Sequence, residues 1–183
     1  TDRIDADILA LFADRVRPLI ARMASAQLEA GADLVMVFDT AAGDLSPAAF
    51  RQHVAPDLVA LAAAMPHRLG YYARGLHPSH LADQGAASIG PWAGLGIDWR
   101  WDLADVLTGR ERQGFIQGNL DPSILHLSGV ALARALAEFL DPIASLSPEA
   151  RRGWICGLGH GVLPGTPEAS VKAFVTALRA RLS

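Results

Sequence analysis

Cysteine is almost missing from this sequence, with one in 183 residues. Cys156 alone cannot close an internal disulfide, build a Cys-rich zinc site or form a CxxC redox pair, and a lone thiol suits a reducing compartment. An excess of charge is missing too. Sixteen Lys and Arg against 19 Asp and Glu leave a formal charge of −3, and no basic block follows a nucleic-acid backbone, so nucleic acid is not an expected partner. Long apolar runs are absent: Leu58 to Met65 falls far short of the ~20 residues that span a bilayer. The first residues, Thr1 to Asp7, are polar and acidic, unlike a signal peptide. The expectation is a cytoplasmic protein that avoids membranes and nucleic acid.

What is present is ample for a core. The chain is 51% hydrophobic with 17 Gly and 11 Pro, and a single domain over 1–183 is expected. A domain of this length buries roughly 70% of its unfolded surface and needs no disulfide or metal for stability.

Ile8, Phe12, Leu19, Met23 and Leu28 fall near helical spacing, with Pro18 as a kink or restart and Gly31 as a stop. Leu34 to Phe38 is a short continuous apolar run, the pattern of a strand covered on both faces. Ser46 and Pro47 form an N-cap and first turn for a helix to about Met65. Further strands are read at Arg68 to Ala73, Leu95 to Trp99, Phe115 to Gln117 and Trp154 to Leu158. Between them come helices at His77 to about Gly85, Asp102 to Leu107 and Val130 to Leu140, and a loose stretch runs from Pro142 to Gly153. Thr166, Pro167 and Glu168 cap a last helix carrying Val171, Phe174, Val175, Leu178 and Leu182. Alternating strands and helices argue a parallel α/β sheet, because consecutive parallel strands need crossover connections.

Polar and glycine residues recur after these strands: Asp39, Thr40 and Gly43; Arg74 and Gly75; Asp98 and Trp99; Asn119 and Asp121; His160 and Gly161. Such positions converge at the carboxyl ends of the strands in a (β/α) barrel, so one shared pocket is expected there. Caps explain part of the pattern: in the run Gly118 to Pro122, Asp121 caps a helix and Pro122 takes its first position. Asn119 is less easily explained that way, since its amide could orient a carboxylate. Gly157 to Gly161, GLGHG, lets backbone approach a ligand closely and leaves His160 as its titratable group. His77 and His80 stand three apart, but no carboxylate or thiolate pattern accompanies them, so no metal site is expected. Walker, GxSxG and HExxH motifs do not occur.

Four runs resemble the uroporphyrinogen decarboxylase family: AGADLVMVFDTAAGDLSP (Ala30 to Pro47), GLGIDWR (Gly94 to Arg100), QGNLDP (Gln117 to Pro122) and GLGHGVLPGTP (Gly157 to Pro167). Their order and spacing resemble the family's carboxyl-terminal half. The resemblance implies a (β/α)8 barrel without metal or organic cofactor, often a homodimer. The implied reaction, in haem biosynthesis, decarboxylates the four acetate arms of uroporphyrinogen III to give coproporphyrinogen III. By position it implies substrate contacts at Thr40, where the family usually has serine, and at His160, the best catalytic candidate. Arg74 is the best-placed cation for a substrate of eight carboxylates and Arg100 the second, and Asn119 completes the expected binding set. A corrinoid-linked methyltransferase, the alternative within this barrel, is disfavoured because its zinc takes His and Cys ligands.

The resemblance also implies that an Arg segment, the Asp bonding the pyrrole NH groups and a substrate-contacting Tyr belong to the family's other half. The fold expected here is therefore an α/β partial TIM barrel of about five strands, which cannot close an eight-stranded cylinder. Self-association, a separate polypeptide or a longer gene product would supply the rest. The expected chain is an oligomer with little or no decarboxylase activity alone, and the alternative is a non-catalytic half-barrel kept for assembly or tetrapyrrole binding.

Overall fold

The computed structural model describes residues 5–81, 92–109 and 114–182. The first helix runs as α1 (Ala6–Leu11), a π-helical stretch (Phe12–Val16) and α2 (Arg17–Glu29). The π-helical stretch lies immediately before Pro18, which has no N–H to donate; the Arg17 N–H bonds the carbonyl of Phe12, five residues back. The chain continues with β1 (Val35–Asp39), α3 (Pro47–His53), α4 (Ala55–Ala64) and β2 (Leu69–Ala73). It then forms β3 (Gly94–Gly96), α5 (Leu103–Thr108), β4 (Phe115–Leu120) and α6 (Gly129–Ala144). The last elements are α7 (Pro148–Arg151), β5 (Trp154–Leu158) and α8 (Glu168–Leu182).

Among the described residues five strands lie parallel in one sheet, in the order β1-β2-β3-β4-β5. This is the partial α/β barrel sheet read from the sequence. Several boundaries differ. The helix expected from Pro47 to Met65 is two helices, broken at Val54, because Pro56 cannot donate to the carbonyl of Gln52. Strand β3 ends at Gly96, since Asp98 turns to cap neighbouring backbone, whereas β4 runs on to Leu120, paired with Leu158. Helix α6 continues through Pro142 to Ala144, and α7 follows within the stretch read as loose. Of the helix expected at His77 to Gly85, Pro78–His80 forms a 3-10 turn, and the part beyond residue 81 lies outside the described residues. Thr166 donates its hydroxyl to the carbonyl of Leu163 (2.8 Å).

Alternation divides each strand between two faces. One face carries the helices: Val35, Leu69, Tyr71, Leu95 and Ile116 join Phe50, Leu61, Trp101 and Leu107 in the main core, while Leu120 packs with Leu132, Leu136, Leu140 and Phe174 beneath α6 and α8. The opposite face corresponds to a barrel interior. Phe115 lies there against Gly94, where a Cβ would stand 2.3 Å from the ring. Phe38 on this face is 70% exposed and Ile155 45%, so the inner surface is open along both outer strands. Among the described residues no helix is long and apolar enough to cross a membrane.

Candidate active site

A cavity of about 530 Å³ opens at the carboxyl ends of the strands, within the size range of small-molecule sites. Its walls are largely apolar, from Phe38, Tyr72, Leu158 and Val162, with Gly96 among the lining residues. Thr40 after β1, Arg74 after β2 and His160 after β5 bring three polar side chains to it, and Gln117 of β4 adds a fourth.

The acidic groups nearby are already engaged. Asp39 Oδ1 accepts from the N–H groups of Ala41 (3.2 Å) and Ala42 (3.0 Å), and its Oδ2 accepts from the Tyr71 hydroxyl (3.1 Å). Burial, reinforced by the negative charge of Asp39, pushes the Tyr71 hydroxyl far above the ordinary phenol range, so it stays a donor. Asp98 is fully buried, and it accepts from the N–H groups of Gly75 (2.7 Å) and Arg100 (2.9 Å) and from the Arg100 guanidinium. That guanidinium also lies 4.8 Å from the centre of the Trp99 ring. Two carboxylates thus brace the loops. Among the described residues neither the Thr40 hydroxyl nor the Arg74 guanidinium has a hydrogen-bond partner, and the imidazole of His160 accepts only from the N–H of Gly161 (2.5 Å). The groups left available favour an anion.

The structure therefore brings Thr40, Arg74 and His160 together. It does not bring Asn119 with them. That side chain is 4% exposed, donates its amide hydrogens to the carbonyls of Asp98 and Trp101 (both 2.9 Å) and borders a different cleft, beside Trp99, Ile124 and Phe139. Asp121 caps the 3-10 turn Pro122–His126 through the N–H of Ser123 (2.9 Å). His80 is buried with Nε2 on the carbonyl of Leu45 (3.0 Å) and Nδ1 on the backbone of His77, so it knits the loops after β1 and β2. Among the described residues no three His, Cys, Asp or Glu side chains converge as a metal site.

Sequence reasoning missed Phe38, Tyr72, Gln117 and Val162. A signal for Tyr72 existed: of two adjacent tyrosines in a strand, one must face each side of the sheet.

Among solved structures, a methyltransferase from Methanosarcina mazei superposes with a TM-score of 0.64 at 23% identity, covering 98% of this chain and 55% of that one. It supports the fold alone. The uroporphyrinogen decarboxylase of Xylella fastidiosa is 32% identical over 97% of this chain and 51% of its own length; that of Chloroflexus aurantiacus is 37% identical over 88% and 45%. The chain spans about half the length of the curated relatives it matches. The profile of the uroporphyrinogen decarboxylase (URO-D) family matches residues 5–181, and the chain belongs to that family.

Proposed function

We propose that this chain, as one domain, forms the carboxyl-terminal part of a uroporphyrinogen decarboxylase barrel and binds a carboxylate-rich tetrapyrrole in the cavity above β1, β2 and β5. The convergence of Thr40, Arg74 and His160 on an apolar cup carries this reading. Pyrrole rings suit the walls of Phe38, Tyr72, Leu158 and Val162, Arg74 suits a carboxylate arm, and Thr40 and His160 supply hydrogen bonds at the rim. His160 is the proton-carrying group placed to act on the bound molecule. The lone thiol and balanced charge support a cytoplasmic setting.

On this reading the chain binds but does not turn over alone. Decarboxylation leaves an electron pair that a protonated, cationic pyrrole accepts, and a carboxylate free to stabilise that cation is needed. Asp39, in the cavity wall, and Asp98, which acts on the wall residue Tyr72, are committed to backbone and to their Tyr71 and Arg100 partners. This also favours the second reading, a half-barrel that holds a tetrapyrrole without acting on it. In either case further strands, from a second copy, a separate polypeptide or a longer product of the same gene, complete the cylinder.

The test is anaerobic incubation with uroporphyrinogen III, with product carboxylates counted by chromatography and binding followed in parallel. Binding with an unchanged carboxylate number is expected from the isolated chain. Conversion by it would overturn the incompleteness, and binding unaltered in Arg74→Ala and His160→Ala would overturn the site.

A further inference from the structure

We propose that Tyr72 is a positioning residue whose hydroxyl, reaching over β3 from β2 to the carbonyl of Gly159, holds the His160 turn where the imidazole meets a ligand. The proposal rests on the cavity being the ligand site. Tyr72 pairs in register with Gly96 on the inner face of the sheet. A Cβ at Gly96 would stand 2.9 Å from the Cβ and Cδ2 of Tyr72, so the bare backbone of β3 is what lets the ring lie across it. The hydroxyl then donates to Gly159 at 2.6 Å, joining residues 87 apart in sequence.

Gly159 is fixed on a second side by its own N–H, which donates to the carbonyl of Leu120 at the end of β4 (2.8 Å). Gly159 also packs against the loop after β3, where a Cβ would stand 2.8 Å from the nitrogen of Trp99, whereas nothing lies within 4 Å of where a Cβ would stand at Gly157 or Gly161, on either side of it. His160 is exposed, and its ring meets the edge of Tyr72 with centroids 6.4 Å apart and planes at 84°. Phe38 backs Tyr72 from the other side at 5.8 Å. Burial, aided by Asp98 and opposed by Arg74 and Arg100, raises the Tyr72 pKa, which keeps the phenol a donor at neutral pH.

The test uses the full chain, the His160 ring resonances in NMR spectra, and uroporphyrin I as the fluorescent probe for binding. Tyr72→Phe keeps the ring and removes the donor; Gly96→Ala keeps the donor and displaces the ring. Both are expected to move the His160 resonances and to weaken uroporphyrin binding by roughly two- to tenfold, the range of one hydrogen bond. In a His160→Ala background, Tyr72→Phe is expected to cost no further affinity. Unmoved His160 resonances in both variants, or an equal affinity loss with and without His160, would overturn the proposal. Should Tyr72→Phe not fold, Gly96→Ala decides it alone. Failure of the unaltered chain to bind uroporphyrin would sink the ligand reading, while the resonances still report whether Tyr72 holds the turn.

Discussion

Asn119 and Arg74 have opposite surroundings although both follow or end strands at the same rim. Asn119 is enclosed and donates to the backbone carbonyls of Asp98 and Trp101, the first of which also accepts from the Trp101 N–H (3.2 Å), whereas Arg74 is exposed with no hydrogen-bond partner among the described residues. Asn119→Ala is expected to lower unfolding free energy by about 1–3 kcal/mol in urea titration, with uroporphyrin affinity of the folded fraction unchanged. Arg74→Ala is expected to do the reverse: stability within about 0.5 kcal/mol of the parent, and affinity reduced roughly tenfold or more through loss of a charged hydrogen bond. Cys156 gives a third expectation. Burial beneath α6 and α8 pushes its thiol from 9.0 up to about 12, so the native protein should react with a maleimide at pH 8 far more slowly than the urea-unfolded chain. Because the folded state holds this proton more tightly, the stabilisation it brings is complete below pH 9 and is lost as pH rises toward 12. The rim residues Thr40, Arg74 and His160 were legible because polar side chains directly after apolar runs mark strand ends. The bracing role of Asn119 was not, because it depends on carbonyls 18 and 21 residues away.

Strand and helix identities follow from local pattern; their ends follow from neighbours. The apolar run Trp154–Leu158 matches the strand to the residue, since an isolated apolar run between polar turns has no competing interpretation. The sequence predicts a shorter β4 because Asn-Leu-Asp-Pro has turn chemistry, yet its pairing with β5 holds Asn119 and Leu120 extended. The loops after β1 and β2 lie in close contact. A Cβ at Gly43, after β1, would stand 2.1 Å from the carbonyl oxygen of Arg74 and 2.6 Å from the nitrogen of Leu76. Gly43→Ala is therefore expected to separate the loops after β1 and β2, lowering stability by about 1–3 kcal/mol and weakening uroporphyrin binding. A stable variant with unchanged affinity would show that these loops need not touch for the cavity to work.

The molecule as a whole has a finished side and an unfinished one. Ile8 (62% exposed), Leu11, Phe12, Val16, Leu19 and Met23 (58%) form a helical stripe from α1 into α2, and α2 packs against β1 at the edge of the sheet. A contiguous exposed apolar patch of this kind marks an interaction surface or an aggregation hazard. The chain alone is expected to associate in light scattering, and Phe12→Glu with Leu19→Glu is expected to shift it toward monomer while leaving the helical signal in circular dichroism intact. A monodisperse monomer of the unaltered chain would contradict this. The five-strand arithmetic behind an incomplete cylinder was available from the sequence. The stripe is only half visible in the sequence: Ile8, Phe12, Leu19, Met23 and Leu28 read as one helical set, but periodicity does not say which apolar face meets the sheet, and Leu28 turns to the core while the other four stay outside. Ile20, Ala21, Ala24 and Leu28 take that place. The strand order has a further result. Each strand neighbours its predecessor and successor in the chain, so new repeating units can be appended at either flank without rethreading anything already built, whether by peptide linkage or by simple contact.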